Sequence, residues 1–347
     1  MLLDWEGAAD AVNVDVVRLH TTFARTLLML KKSSSRLALA LPWALRRAAA
    51  ALVVLLLLPA GFAKSSTYVV VVPVANMYSG ASDKSDVVSQ AMYGDNVTLV
   101  TAHGEWCRIQ TSDHYKGWTS SRYLRLIQSG AGYATSGPTV QIESLFANVY
   151  SEPDVTRHKP LLTIPFESRL EVMPEGEKPQ KQGKDEKTQA KKQTHEAWVE
   201  VRLPDKRAAW VRLGDVVSDP KPLTIPESIE LAKRFLGLPY LWGGRSSFGF
   251  DCSGFTQMLV RARGINMPRD ADQQAAWKGV VAVAREDLQP GDLLFFGSSV
   301  RGITHTGMYI GDGEFINATT HEHPIVQIDR LDDQPWTHLL VASRRVK

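Results

Sequence analysis

The sequence predicts an α+β domain, helices packed on an antiparallel sheet, preceded by two small all-β barrels. Three observations carry this expectation. A short motif recurs, Val74-Ala75-Asn76-Met77-Tyr78-Ser79 returning as Phe146-Ala147-Asn148-Val149-Tyr150-Ser151. Each copy is followed by short alternating stretches rich in Val, Ile, Tyr and Trp, broken by Gly, Asp and Asn turns, which is the pattern of small barrels. From residue 225 onward helical spacing comes first and strand patterns follow, the order of an α+β layer fold.

The first barrel is expected over 67–128, through Gly94-Asp95-Asn96-Val97, Glu105-Trp106 and Lys116-Gly117-Trp118. The second covers 138–218, through Ser168-Arg169-Leu170, Ala197-Trp198-Val199 and Ala209-Trp210-Val211. Within it, 174–194 is almost wholly charged or polar and reads as a flexible insertion in a hairpin loop. Trp106, Trp118, Trp198 and Trp210 sit in strand patterns and are expected to fill the two small cores. Cys107 shares a strand face with Ile109 and reads as a buried structural thiol. Tyr115, beside Gly117-Trp118, is the aromatic residue expected to be exposed and used.

The third domain spans 225–347. Pro226-Glu227-Ser228 opens a helix whose apolar residues Ile229, Ala232, Phe235 and Leu236 recur at helical spacing, ending at Gly237 before Pro239. Tyr240-Leu241-Trp242-Gly243-Gly244 then forms a rigid turn ahead of a helix that starts at the cysteine of Asp251-Cys252-Ser253-Gly254-Phe255. A short helix is expected over 271–277. Strands follow near 293–296, 305–310, 313–318, 324–328 and 338–344.

Composition excludes several function classes. The chain has 347 residues and a net charge of +3, room for two or three domains and too little charge to argue for nucleic acid. Neither CxxC nor HExxH occurs, so no protein-built zinc site and no cofactor is expected. Residues 1–63 read as an extension plus signal peptide: Arg46-Arg47, the apolar run Ala48 to Leu58, then Gly61 and Ala63 at the cleavage-recognition positions. Met29, followed by Lys31-Lys32, makes a more ordinary start for such a signal. Export to the periplasm or cell exterior follows, with membrane contact only where that segment stays uncleaved. The run is short for a membrane span, which needs about 20 residues.

Cys252 carries the chemistry. A cysteine that opens a helix meets the positive end of the dipole and unpaired N–H groups, and both favour the thiolate. His305 in His305-Thr306-Gly307-Met308 and Asn317 in Glu314-Phe315-Ile316-Asn317 would complete a cysteine-hydrolase triad. In a hairpin through Gly311-Asp312-Gly313 with Ile310 opposite Glu314, residues 305 and 317 share a face as diagonal neighbours. His321 and His323 are the other candidates for the orienting role. Asp251 reads as the helix cap.

Four ordered motifs, Pro239-Tyr240-Leu241-Trp242-Gly243-Gly244, Asp251-Cys252-Ser253-Gly254-Phe255, Pro290-Gly291-Asp292-Leu293 and His305-Thr306-Gly307-Met308-Tyr309-Ile310-Gly311, resemble the NlpC/P60 family of papain-like cell-wall peptidases. The paired barrels resemble bacterial SH3-like domains. The resemblance implies cleavage of peptidoglycan stem peptides, free or as muropeptides, between D-γ-glutamate and a diamino acid. It implies Cys252 as nucleophile, His305 as base and Tyr240 near the oxyanion. Members with paired SH3-like domains resemble dipeptidyl peptidases that require a free N-terminal L-alanine. There Ser253 and Asp270 match ammonium-binding positions, Arg269 belongs to the same Arg-Asp motif, and Tyr115 matches a tyrosine that closes the pocket. The family's acidic partner is not evident near Gln90. Alternatives are an endopeptidase on polymeric wall, a non-catalytic wall-peptide binder, and acyl transfer on the same scaffold.

Overall fold

The computed structural model describes residues 66–127, 132–174 and 197–347. The N-terminal extension with its apolar run, and the polar insertion from residue 175 onward, lie outside the described residues.

Alternating apolar and polar side chains build a first sheet from β1 (Thr67–Val70), β2 (Val74–Tyr78), β3 (Val87–Met92), β4 (Asn96–His103), β5 (Trp106–Gln110), β6 (Lys116–Ser120) and β7 (Leu124–Leu126). Its spatial order is β3-β2-β6-β5-β4-β1-β7. A second sheet holds β8 (Thr139–Ile142), β9 (Phe146–Tyr150), β10 (Leu162–Pro165), β11 (Arg169–Val172), β12 (Trp198–Arg202), β13 (Ala208–Arg212) and β14 (Val216–Val217), in the order β10-β9-β13-β12-β11-β8-β14. Strand for strand the two orders are the same. The recurring sequence motif therefore marks a recurring topology.

The buried cores of both sheets are aliphatic, built on Val70, Met77, Val97 and Ile109 in the first and Ile142, Val149, Leu170 and Val201 in the second. The expectation that tryptophans fill them is corrected. Trp106, Trp118, Trp198 and Trp210 are half-buried. On β5 the inward positions belong to Cys107 and Ile109, and the two-residue strand period turns Trp106 to the other face. Tyr78 packs edge-on to Trp106, and Tyr150 to Trp198, at centroid separations of 5.6 and 5.5 Å. Cys107 is a buried free thiol in the first core, as expected.

The C-terminal region opens with α1 (Ile225–Lys233), started by a capping box. The Thr224 side chain accepts from Glu227 N–H, while the Glu227 carboxylate accepts from Thr224 N–H at 2.8 Å. The helix stops at Lys233 instead of Gly237; the chain leaves it through turns and reaches Gly237 at a φ of +82°. A small hairpin of β15 (Arg245–Ser246) and β16 (Gly249–Phe250) leads into α2 (Cys252–Ala262), followed by α3 (Ala271–Ala276). The remaining elements are β17 (Val280–Ala282), β18 (Leu293–Gly297), β19 (Ile303–Gly311), β20 (Glu314–Thr319), β21 (Ile325–Arg330), α4 (Trp336–Leu339) and β22 (Leu340–Val346). Six strands form an antiparallel sheet in the order β17-β22-β18-β19-β20-β21.

Apolar runs on β18 bury both faces of that sheet. One face carries Phe295, Met308 and Ile316 against Phe250, Phe255 and Leu259; the other carries Leu294, Phe296 and Phe315 against Leu331 and Trp336. Phe166 of the second sheet's region joins the first of these cores, edge-on to Phe235 at 5.5 Å. Polar ties flank it. Gln90 Oε1 accepts from Arg245 N–H at 3.0 Å, Gln257 donates to Asp113 at 3.1 Å, and Arg261 pairs with Glu167 at 2.6 Å. The described residues from 66 onward thus pack as one unit.

Candidate active site

One carboxylate organises the helix start. Asp251 caps α2, its Oδ1 accepting from Gly254 N–H at 2.6 Å. Its Oδ2 accepts from Gly243 N–H at 3.0 Å, which ties down the loop after Tyr240. Arg269 spans both oxygens, with Nη1–Oδ1 at 3.0 Å and Nη2–Oδ2 at 2.7 Å. The backbones meet closely here, since a Cβ on Gly254 would lie 2.1 Å from the Gly244 carbonyl oxygen. Only glycine allows that approach.

Cys252 is the first residue of α2 and is buried. Backbone N–H groups of Thr306 and Ser253 hydrogen-bond its sulfur, which sets the thiol one residue along β19 from His305. Burial, then the neighbouring Asp251 carboxylate, push the thiol up to about 12, while the Thr306 bond and Arg269 pull the other way. The dipole and N–H groups that favour the thiolate are thus opposed by burial, which favours the thiol. A helix end contributes about 0.3–1 kcal/mol, less than one pKa unit, and burial outweighs it.

His305 and Asn317 meet as the hairpin register predicts, with one local change. Gly311, not Ile310, lies opposite Glu314; Ile310 is bulged, and Tyr309–Phe315 and Met308–Ile316 restore the expected pairing. The imidazole Nε2 lies 2.8 Å from Asn317 Oδ1. The ring stacks on Trp336 at 5.1 Å and 28°. Burial lowers the His305 pKa to about 4; the Asn317 bond and the Asp329 and Asp251 carboxylates oppose that shift, and His321 adds to it. His305 is thus a neutral imidazole. His321 touches the edge of Trp336 instead of His305, and His323 is exposed in the loop.

Tyr240 is held by its backbone, donating to Pro324 O at 2.7 Å, and its hydroxyl pKa is raised by burial first and by the nearby Cys252 second. The phenol stays protonated and able to donate. The guanidinium of Arg269, expected among the substrate-binding residues, is buried and hydrogen-bonded to Asp251, to Ser253 Oγ at 2.8 Å and to the Gly244 carbonyl. Ser253 is buried with it. Asp270 precedes α3 but its side chain makes no cap bond. It accepts from Gln273 at 2.9 Å and from the Tyr115 hydroxyl instead. Burial raises its pKa, with Arg269 opposing. Tyr115 is half-buried, not exposed, and burial followed by the Asp270 charge raise its pKa to about 12.

Other participants escaped the sequence reading. Gln274 is fully buried and donates to the carbonyls of Ser253 and Pro268 at 3.0 and 3.1 Å, joining α3 to the helix start. Asp329 accepts from the Asn317 amide nitrogen at 2.8 Å. A signal for Asp329 existed, because it follows Asn317 by the same 12 residues that separate Asn317 from His305.

A thiol at a helix start, bonded by the backbone N–H that follows a histidine on an antiparallel sheet, is the arrangement of a cysteine hydrolase. The profile described as the NlpC/P60 family matches residues 237–345, and that of the bacterial SH3 domain matches 73–125. A gamma-D-glutamyl-L-lysine dipeptidyl-peptidase of Bacillus cereus is 32% identical over 272 residues, 74% of each chain. The enzyme of the same name from Bacillus subtilis is 47% identical over 125 residues, 35% of this chain and 41% of its own. The crystal structure of an NlpC/P60 family protein from Bacillus cereus superposes with a TM-score of 0.65 at 27% identity, covering 81% of this chain and 99% of that one. This chain belongs to the NlpC/P60 family.

Proposed function

We propose that this protein is an exported cysteine peptidase that hydrolyses the γ-D-glutamyl–diamino acid bond of peptidoglycan stem peptides carrying a free N-terminal L-alanine. The observation that carries the reading is the hydrogen-bonded His305–Asn317 pair, with the backbone N–H of the next residue, Thr306, bonded to the Cys252 sulfur. The dipeptidyl-peptidase names of its relatives support the substrate, and the apolar run at Ala48 to Leu58 supports export. The shared strand order supports reading 138–218 as a second SH3-like domain beside 67–128, ahead of a papain-like peptidase domain over 225–347.

As Cys252 sulfur attacks the γ-carbonyl carbon of D-glutamate, its proton passes to His305, and the Tyr240 hydroxyl donates to the developing oxyanion. His305 then gives that proton to the departing amine of the diamino acid, leaving a thioester. Water, deprotonated by His305, attacks the thioester; the sulfur regains a proton and L-Ala-D-Glu departs. Asp270 and Tyr115 bind the substrate ammonium: a half-buried carboxylate pairs with a cation and gains nothing from an acylated amine.

Mass spectrometry of products from L-Ala-γ-D-Glu-L-Lys and its N-acetyl form tests this reading. Wild type should release L-Ala-D-Glu from the free peptide, and Cys252→Ala should release none. Asp270→Asn should lose about tenfold to hundredfold in kcat/KM on the free peptide, for one charge-assisted bond, and almost nothing on the acetylated one. Equal losses on both would favour an endopeptidase on polymeric wall. Binding without turnover by wild type would favour a wall-peptide binder.

A further inference from the structure

The hydrogen-bonded chain at the base does not stop at Asn317. Asn317 Nδ2 donates to Asp329 Oδ2 at 2.8 Å and to the Gln327 carbonyl at 3.3 Å. Asp329 Oδ1 in turn accepts from Gln327 Nε2 at 2.8 Å. The sheet produces this by register. On β20 and β21, Phe315 lies opposite Asp329 and Asn317 opposite Gln327, so Asn317 and Asp329 are diagonal neighbours, as are His305 and Asn317 one strand earlier.

We propose that Asp329 is a positioning residue of the catalytic base, acting through Asn317. A carboxamide has two faces of nearly equal shape, and an acceptor at its nitrogen end decides which way it sits. Asp329 is acceptor-only when ionised, so it holds the Asn317 nitrogen to itself and turns Oδ1 towards His305. An accepting Oδ1 requires a proton on His305 Nε2, which leaves the Nδ1 lone pair free for the Cys252 proton. When that proton arrives, the carboxylate, one neutral amide away, stabilises the imidazolium without quenching it as a direct ion pair would. The other charged or titratable groups that act on the ring are Asp251 ahead of α2 and His321 after β20. Asp329 alone among the carboxylates is hydrogen-bonded to its orienting partner.

This inference rests on the triad reading and is separable from it. With L-Ala-γ-D-Glu-L-Lys as substrate, Asp329→Asn should lower kcat about tenfold with KM within twofold of wild type, equivalent to about 1.4 kcal/mol. Its acid limb of kcat/KM should move to lower pH, because a carboxylate that favoured imidazolium is gone. Asp329→Asn combined with Asn317→Ala should be no worse than Asn317→Ala alone, since two members of one relay do not add. A merely structural residue would lower the melting temperature and leave the limb where it was. The inference is overturned by an unchanged kcat and limb in Asp329→Asn, or by losses that add in the double variant. Turnover by Cys252→Ala would instead overturn the triad reading beneath it.

Discussion

Cys252 and His305, the proposed nucleophile and base, are both held towards their neutral forms, a thiol with its pKa pushed up to about 12 and an imidazole with its pKa lowered to about 4. The sign for activity follows directly. His305 is competent as a base wherever it is unprotonated, so the acid limb of kcat/KM should fall near pH 4 and not near the ordinary 6.5. A pH–rate profile between 3.5 and 8 with a limb near 6.5 would contradict it. Stability has the same sign: the folded state refuses a proton that the unfolded chain accepts, so this contribution is intact above 6.5 and is lost as pH falls towards about 4. The helix-start placement of Cys252 and the meeting of His305 with Asn317 were legible because helix starts and strand alternation are local. The protonation state was not, since it depends on how much protein surrounds the sulfur. The partner of Arg269 was hidden for the same reason: sequence marks a cation beside Asp270 but not the carboxylate, Asp251, that it pairs with.

Between elements, the loop joining β5 to β6 presents Tyr115 to Asp270. It is tightened by Thr111 N–H to Tyr115 O at 3.0 Å, with His114 at a φ of +67°. Asp113 is the latch. Its Oδ1 accepts from the Thr111 hydroxyl and from Tyr115 N–H, while its Oδ2 accepts from Gln257 on α2, whose amide also donates to Met267 O at 2.9 Å. We expect Asp113→Ala to raise KM for the free-amine peptide by about three- to tenfold, roughly 1 kcal/mol for a lost hydrogen bond, with kcat nearly unchanged. Steady-state kinetics read this split, and an equal fall in kcat would mean that the latch also positions Cys252. Element types and order here were readable from periodicity and turn residues. The bulge at Ile310 was not, because an extra residue in a strand leaves the alternation on either side intact.

For the whole chain, the repeated motif gave away the duplicated sheet, but nothing in it foretold that the second copy would lend a side chain to the peptidase core. Phe166 is 5% exposed and packs with Phe235 beside Phe250 and Phe255. Phe166→Ala should cost about 3–5 kcal/mol, lowering the urea midpoint for the second sheet and the peptidase region together. Separate transitions, with peptidase fluorescence unmoved, would show the two to be energetically independent. Such docking is invisible to pattern reading because it joins faces from segments far apart in sequence.

The protonated state of Cys252 also bears on how the enzyme survives oxidants. Peroxide and disulfide exchange attack thiolates, so a shielded thiol with few ionised copies at neutral pH reacts slowly, whatever the redox poise around it. Cys107, whose pKa burial also raises, is shielded in the same way. In the proposed mechanism the Cys252 proton leaves only as the sulfur attacks a substrate carbonyl, so an idle molecule should outlast hydrogen peroxide that inactivates ordinary exposed thiols.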